Sequence, residues 1–343
     1  MGRLDLKRYL EDLLASGTVT AAAAVIGDGR SIACEGACGA KRRAGGGRVT
    51  TSSLFDLASL TKPVIATVAQ ALDAEGVLPL RRSVSRALAG HETRVAPCLA
   101  RKSLGSLLRH RSGFQPWAPL FAHGADEEDA VRWLVSDPAL HGAAPSTYSD
   151  LGYILWGWIA ERARGLSLAT MVREYVARPL GIDRLAQQPS HRDSVVACHL
   201  GNGRERELAA AQGIEIPVRR APSIGTVQDG NARFLSFAAH AGLFGSARAV
   251  WRLAAEWVEP SRVLTSAAVG TALEGRGAYA LGWRRRPAET RGRSGLWYGH
   301  LGFTGGGVWF CPESAEVRVL LAHRSSIAVG LEDWRKRFLE ISM

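Results

Sequence analysis

Lysine is almost missing from this chain. Only Lys7, Lys41, Lys62, Lys102 and Lys336 occur among 343 residues, so the formal charge of +11 is carried almost wholly by arginine. The arginines are scattered, and short runs such as Arg219-Arg220 and Arg284-Arg285-Arg286 stop at once, at Ala221 and Pro287. Codon bias toward arginine and alanine accounts for such a charge. No nucleic-acid partner is expected, and a basic patch for an acidic partner is the reading set against this one. Cysteine is also sparse. Cys34, Cys38, Cys98, Cys198 and Cys311 make an odd count without a CxxC pair or a histidine at ligand spacing. This speaks against a fully paired disulfide framework and a thiolate metal site, and reads as small buried thiols in a reducing compartment. No metal and no cofactor is expected. Long apolar runs are missing too, since no stretch approaches the roughly 20 residues that a membrane span needs. The start, Met1 to Ser16, is interrupted by charge throughout and has no signal-peptide core. The expectation is a soluble, cytoplasmic protein.

What is present is globular. Hydrophobic residues make up 46% of the chain and charged residues 22%, enough for a large core. The length suits two subdomains or one large domain. Leu4, Leu6, Tyr9, Leu10, Leu13 and Leu14 predict an amphipathic first helix. Thr18–Ile26, a turn at Gly27-Asp28-Gly29, and Arg30–Ala37 predict a hairpin, followed by a glycine-rich loop over Gly39–Gly47. A helix is expected from or just after Ser59, with Pro63 tolerated in its first turn. The middle is mainly helical: Lys102–Arg109, Asp126–Ser136, Leu151–Arg164 and Leu166–Val176. Leu200–Ile224 is polar and reads as a long excursion. Ser246 predicts a cap for a helix through Glu256. Tyr279–Arg285, Gly305–Cys311 and Glu316–His323 predict strands, and Leu331–Ile341 a closing helix. Strands at both ends bracket a helical middle, so the ends are expected to pair. The fold class predicted is α+β: an antiparallel sheet flanked by terminal helices plus a mainly helical subdomain. Residues 1–77 and 225–343 would form the first part and 78–224 the inserted second.

Three short stretches carry the chemistry. In Ser59-Leu60-Thr61-Lys62 the serine and lysine sit at i and i+3, on one helix face, so the amine can reach the hydroxyl. A serine needs such a base, and burial or nearby positive potential can lower a lysine pKa enough to supply one. Ser59 is the only serine three residues before a lysine. Taken alone, the motif is equally a first-turn serine and a surface lysine. Tyr148-Ser149-Asp150 offers a tyrosine able to pass protons, or a plain loop before a helix cap. His300-Leu301-Gly302 opens a glycine-rich strand that a substrate backbone could approach, or is a β-turn with an exposed histidine.

In this order, S-L-T-K, Y-S-D and H-L-G resemble the signature of the serine β-lactamases and penicillin-binding proteins, in the class C-like branch with esterases, D-aminopeptidases and D,D-peptidases. Ser106–Phe114, Val227–Ala232 and His240–Phe244 are similar to that family as well. The resemblance implies a β-lactamase/transpeptidase-like fold and a serine hydrolase. It makes Ser59 the nucleophile, with Lys62 and Tyr148 managing its proton. The N–H groups of Ser59 and Phe303 would form the oxyanion hole, and Asp150, His300 and Gly302 would contact substrate. His110 and His240 are read as loop-fixing. Asp150 stands where β-lactamases carry asparagine, and a carboxylate cannot donate to an acylamino carbonyl. His300 replaces a lysine that would pair with a substrate carboxylate. Both changes favour esterase-like or D-aminopeptidase-like action on a small ester, amide or peptide over a true β-lactamase or D,D-peptidase. A non-catalytic scaffold or ligand-binding relative is the competing class. Trp156 and Trp158 are expected in the core, and Trp117 and Trp297 as walls of an acyl pocket.

Overall fold

The alanine-rich first strand shows how the fold is organised. The computed structural model describes residues 5–341 except 43–45, 92–93, 190–191, 236–237, 291–292 and 329. In Val19–Asp28 (β1), Ala21, Ala23 and Val25 enter one buried cluster, while Ala22, Ala24 and Ile26 enter another. Side chains alternate across a strand, so β1 is covered on both faces. The outer face lies under the Leu6–Ala15 helix, through Leu6, Tyr9, Leu10 and Leu13, and under Phe338 and Leu339 of the Glu332–Leu339 helix. The inner face joins the main core with the Thr61–Ala74, Leu151–Arg164 and Ala247–Val258 helices.

The hairpin partner is Ile32–Gly39 (β2). Its turn lies two residues later than predicted. β1 runs on through Asp28, whose Oδ1 accepts the Arg30 and Ser31 N–H groups, each at 2.7 Å. Residues 1–4 of the predicted first helix and 43–45 of the predicted loop lie outside the described residues. Phe55–Asp56 (β3), Leu185–Ala186 (β4) and Phe244–Gly245 (β5) form a small sheet in the order β3-β5-β4. Arg284–Thr290 (β6), Arg293–Leu301 (β7), Gly305–Cys311 (β8) and Glu316–Arg324 (β9) complete the large sheet. Its order is β2-β1-β9-β8-β7-β6, with every neighbour antiparallel. The two chain ends therefore pair as expected, with Ala22 opposite Ala322 and Ala24 opposite Leu320.

Several elements depart from the sequence expectation. The strand predicted at Tyr279–Arg285 starts only at Arg284, and Tyr279 touches it through one isolated bridge. β7 was not expected, so His300 lies near the end of a strand instead of opening one. Charge and a proline mark β6 as an edge strand, which hides it from a search for apolar alternation. Arg285 folds the preceding loop onto this edge by donating to the carbonyls of Leu273 (2.5 Å) and Tyr279 (2.9 Å). The polar excursion also contains a helix, Gly203–Ala210, anchored by the Glu205–Arg219 ion pair at 2.9 Å. Its apolar stripe is nearly absent, so periodicity could not reveal it. The segment predicted as Leu166–Val176 is a short Leu168–Val172 helix continued by a π-turn, Arg173–Ala177. Trp156 and Trp158 are in the core. Among the described residues no helix is long and apolar enough to cross a membrane.

Candidate active site

Ser59 lies in a tight 3-10 turn, Ala58–Leu60, between β3 and the Thr61–Ala74 helix. Ala58 before it has φ of +45°, a left-handed conformation that costs a non-glycine residue about 1 kcal/mol or more. Asp56 holds that turn. Its buried carboxylate accepts the Ala58 N–H at 2.9 Å and the Gln228 N–H at 2.7 Å. Burial lifts the Asp56 pKa to about 6, against these two donors. The Asp56 carbonyl accepts the Thr304 hydroxyl at 2.9 Å, which ties the serine turn to the turn between β7 and β8.

Those two turns come unusually close. A Cβ on Gly302 would stand 2.9 Å from the Leu57 carbonyl oxygen, so only glycine fits there. The turn is closed by Gly302 N–H to Gly306 O (2.8 Å) and Gly305 N–H to Gly302 O (3.1 Å). Among the described residues no backbone carbonyl accepts the Phe303 N–H. Arg335, buried at 4% exposure, braces the same turn by donating to the carbonyls of Gly302, Gly305 and Gly306.

Lys62 has no solvent exposure and three oxygen partners. Its Nζ is 2.9 Å from Ser59 Oγ, 3.0 Å from the His240 carbonyl and 2.6 Å from Asp150 Oδ1. The ammonium also faces the Tyr148 and Tyr153 rings, 5.0 and 5.5 Å from their centroids. Burial pushes the Lys62 pKa below the ordinary lysine value, and the Asp150 carboxylate pulls against that shift. Half-buried Tyr148 is driven the other way. Desolvation and the Asp150 charge raise its pKa well above that of a free tyrosine, while a hydrogen bond with Ser59 opposes them. Its phenol is therefore protonated at neutral pH.

The histidines frame these groups. His110 Nδ1 accepts the Ser149 N–H at 3.1 Å, and its ring lies 4.4 Å from that of Tyr148. His240 Nε2 meets Asp229 Oδ1 at 2.9 Å, which fixes the loop whose carbonyl holds Lys62. Burial raises the Asp229 pKa, but the His240 charge and hydrogen bond overcome it and bring it to about 2. Burial and the charge of Lys62 hold His300 down at about 3, so its ring is neutral. His300 Nδ1–H donates to Leu301 O at 3.0 Å, and Nε2 is buried without a partner.

A cavity of about 480 Å³ opens over Ser59, and Tyr148, Asp150, His300, Gly302 and Phe303 line it. All the residues read as site residues therefore meet in one place, with Lys62 in the wall behind Ser59. The two tryptophans read as pocket walls do not. Trp117 is buried against Ala209 and Ile216, and Trp297 faces the outer cluster, on the side of β7 opposite His300. Trp309 lines the cavity instead. Asp56, Tyr279, Arg324 and Arg335 belong to the site or its frame without having been read from the sequence. Asp56 stands three residues before Ser59, while Tyr279, Arg324 and Arg335 lie outside the motifs and only the fold brings them in.

The family model described as Beta-lactamase matches residues 6–340. The chain belongs to the beta-lactamase family. It is similar to Esterase EstB of Burkholderia gladioli, 28% identical over 281 residues, covering 73% of this chain and 68% of that protein. It is also similar to Penicillin-binding protein 4* of Bacillus subtilis (strain 168), 30% identical over 142 residues, which span 39% of this chain and 30% of that relative. Among solved structures, EstCE1, described as a hydrolase with promiscuous acyltransferase activity, superposes with a TM-score of 0.76 at 18% identity over 98% of this chain and 97% of its own. A class C beta lactamase from Rhodobacter sphaeroides gives 0.74 at 19% identity, covering 97% of each chain. At such identity these likenesses establish the fold, the α+β β-lactamase-like architecture.

The family's Ser-x-x-Lys turn depends here on Asp56. Asp56→Asn would set an amide NH2 against one of its two N–H donors. The expected result is a melting point lowered by the loss of about 1–3 kcal/mol and an esterase kcat reduced about 10²-fold through a displaced serine. Ester kinetics and thermal unfolding on the same preparation check this. A kcat within twofold of the parent would show that the turn holds without the carboxylate.

Proposed function

We propose that this chain is a metal-independent serine hydrolase that forms an acyl-enzyme on Ser59 from an ester or amide. The observation that supports it most is the placement of Lys62 Nζ 2.9 Å from Ser59 Oγ at the floor of an open cavity. Neutral Lys62 takes the hydroxyl proton as Ser59 attacks the carbonyl carbon. The developing oxyanion receives the Ser59 and Phe303 N–H groups, an interaction of the kind worth about 10²–10³ in rate. Tyr148 gives its phenolic proton to the leaving group and regains one from Lys62. Water then attacks the acyl carbon and gives a proton to Lys62, the bond from Ser59 Oγ to that carbon breaks, Oγ takes a proton from Tyr148, which recovers one from Lys62, and the carboxylic acid leaves. The division into residues 1–77 with 225–343 and residues 78–224 belongs to the same proposal.

Within this reading the enzyme is an esterase more than a β-lactamase. Asp150 is engaged with Lys62 and offers no donor, and neutral His300 offers no charge. The test is intact-mass labelling with a fluorophosphonate, paired with p-nitrophenyl esters, D-aminoacyl anilides and nitrocefin on the parent and on Ser59→Ala. Expected are one adduct at Ser59, ester turnover lost in Ser59→Ala, and nitrocefin nearly silent. A chain that takes no label and turns over no ester removes the hydrolase reading. Nitrocefin turnover rivalling the esters would overturn the argument from Asp150 and His300.

A further inference from the structure

The cavity over Ser59 is lined by four arginines, Arg284, Arg286, Arg324 and Arg335, and by one carboxylate, Asp150. Asp150 is committed to Lys62 at 2.6 Å. Some arginines elsewhere pair with acids, as Arg30 does with Glu259 and Arg162 with Glu128, and others, such as Arg109 and Arg285, donate to backbone carbonyls. Among the described residues Arg284, Arg286 and Arg324 make no ion pair, and Arg335 pairs only with Glu332, a largely exposed side chain. Two of the guanidiniums also keep one N–H without an acceptor where water does not reach, although the other nitrogens of Arg335 donate to Glu332 and to the carbonyls of Gly302, Gly305 and Gly306. The Nε atoms of Arg324 and of buried Arg335 have no acceptor. A buried N–H donor without an acceptor is destabilising. A site that keeps two such donors beside a nucleophile is built for an acceptor that arrives with the substrate.

The remaining pair stands on β6. Arg284 and Arg286 are two residues apart, on one face of that strand, and Arg284 is in register with Gly299. Gly299 presents no side chain, and a Cβ there would meet the Trp309 ring at 2.5 Å. The Trp309 ring thus fills the space over Gly299 and forms an apolar wall beside Arg284, both residues lining the same cavity.

We propose that the substrate carries, besides its reacting carbonyl, an anionic group of two negative charges, either a pair of carboxylates or a phosphoryl group. It is held by Arg324 and Arg335 with Arg284 and Arg286. One carboxylate is satisfied by one bidentate guanidinium and would leave the others repelling one another. A free ammonium is excluded by the same field, which removes D-aminoacyl substrates from the range. This inference rests on the hydrolase reading above.

The test uses p-nitrophenyl esters whose acyl chains match in length and end in methyl, one carboxylate, two carboxylates, a phosphonate or trimethylammonium. kcat/KM is measured at low and high ionic strength. The two dianionic esters are expected to exceed the methyl ester by about tenfold or more, with the trimethylammonium ester slowest and salt shrinking the spread. Arg324→Gln should collapse the ratio of dianionic to methyl ester. The dianion that leads identifies the group. A single carboxylate equal to both dianions, or a methyl ester equal to all, overturns the inference while leaving the hydrolase reading intact. Calorimetric binding of propylphosphonate and propylmalonate to Ser59→Ala separates the two claims. Binding that Arg324→Gln abolishes supports the anion site even if no ester is turned over, and absence of binding sinks it.

Discussion

Lys62→Met is expected to lower kcat/KM for a p-nitrophenyl ester by about three orders of magnitude, within the range for loss of a positioned general base. The side chain has no solvent exposure, and its amine is in direct contact with the Ser59 hydroxyl. Tyr148 cannot take over the first proton, because burial and the Asp150 charge hold its phenol protonated at neutral pH. Methionine keeps the length and the apolar stem, so the surrounding packing survives. Asp150 loses its cation and its Oδ1 is buried although the side chain is 17% exposed, so a lower melting point is expected alongside the loss of turnover. The chain should still fold while turnover disappears, which circular dichroism, thermal unfolding and ester kinetics on one sample would show. Activity within tenfold of the parent would mean that another group accepts the Ser59 proton. Lys62→Arg should rescue little, since a guanidinium does not give up its proton in this range.

Much of this site was legible before the fold was known, and the reason is local. Ser59 and Lys62 are three residues apart, so helix geometry alone puts them together. Leu151–Arg164 and Gly305–Cys311 were read to the residue because their apolar runs are long and cleanly bounded. Legibility failed where burial did not write a pattern. β6 carries arginines and a proline at the sheet edge, and the Gly203–Ala210 helix shows hardly any apolar stripe. It failed again where partners are distant in sequence. Asp56 meets Gln228 and Thr304 across 172 and 248 residues, and no spacing rule connects them. Asp150 was read as a pocket residue facing substrate. The fold adds its contact with Lys62, which changes what a substitution there would do.

Asp150→Asn is expected to move the base limb of the pH–rate profile to lower pH, and to raise nitrocefin turnover above the near-silence expected of the parent. Both follow from one contact. The carboxylate stands 2.6 Å from Lys62 Nζ and favours the charged amine, against the burial that favours the neutral one. Removing the negative charge leaves burial unopposed, so the Lys62 pKa falls further and the reactive neutral form persists to lower pH. Ester turnover at the acid end should rise several-fold relative to the parent. The amide also adds an N–H donor in the cavity, which an acylamino carbonyl can use and a carboxylate could not satisfy. Stability should shift in a defined sense. A base whose pKa is lowered on folding loses protons on folding, so its contribution falls as pH falls toward the folded pKa. With Asp150 gone that penalty deepens, and the melting points of variant and parent should diverge as pH is lowered. A broken buried pair costs about 3–5 kcal/mol when the remaining charge is trapped. Lys62 can instead shed its proton, which its lowered pKa makes easier than for an ordinary lysine, so the loss is smaller than for a trapped charge. A limb that stays put or moves to higher pH would show that Asp150 does not set the charge of Lys62.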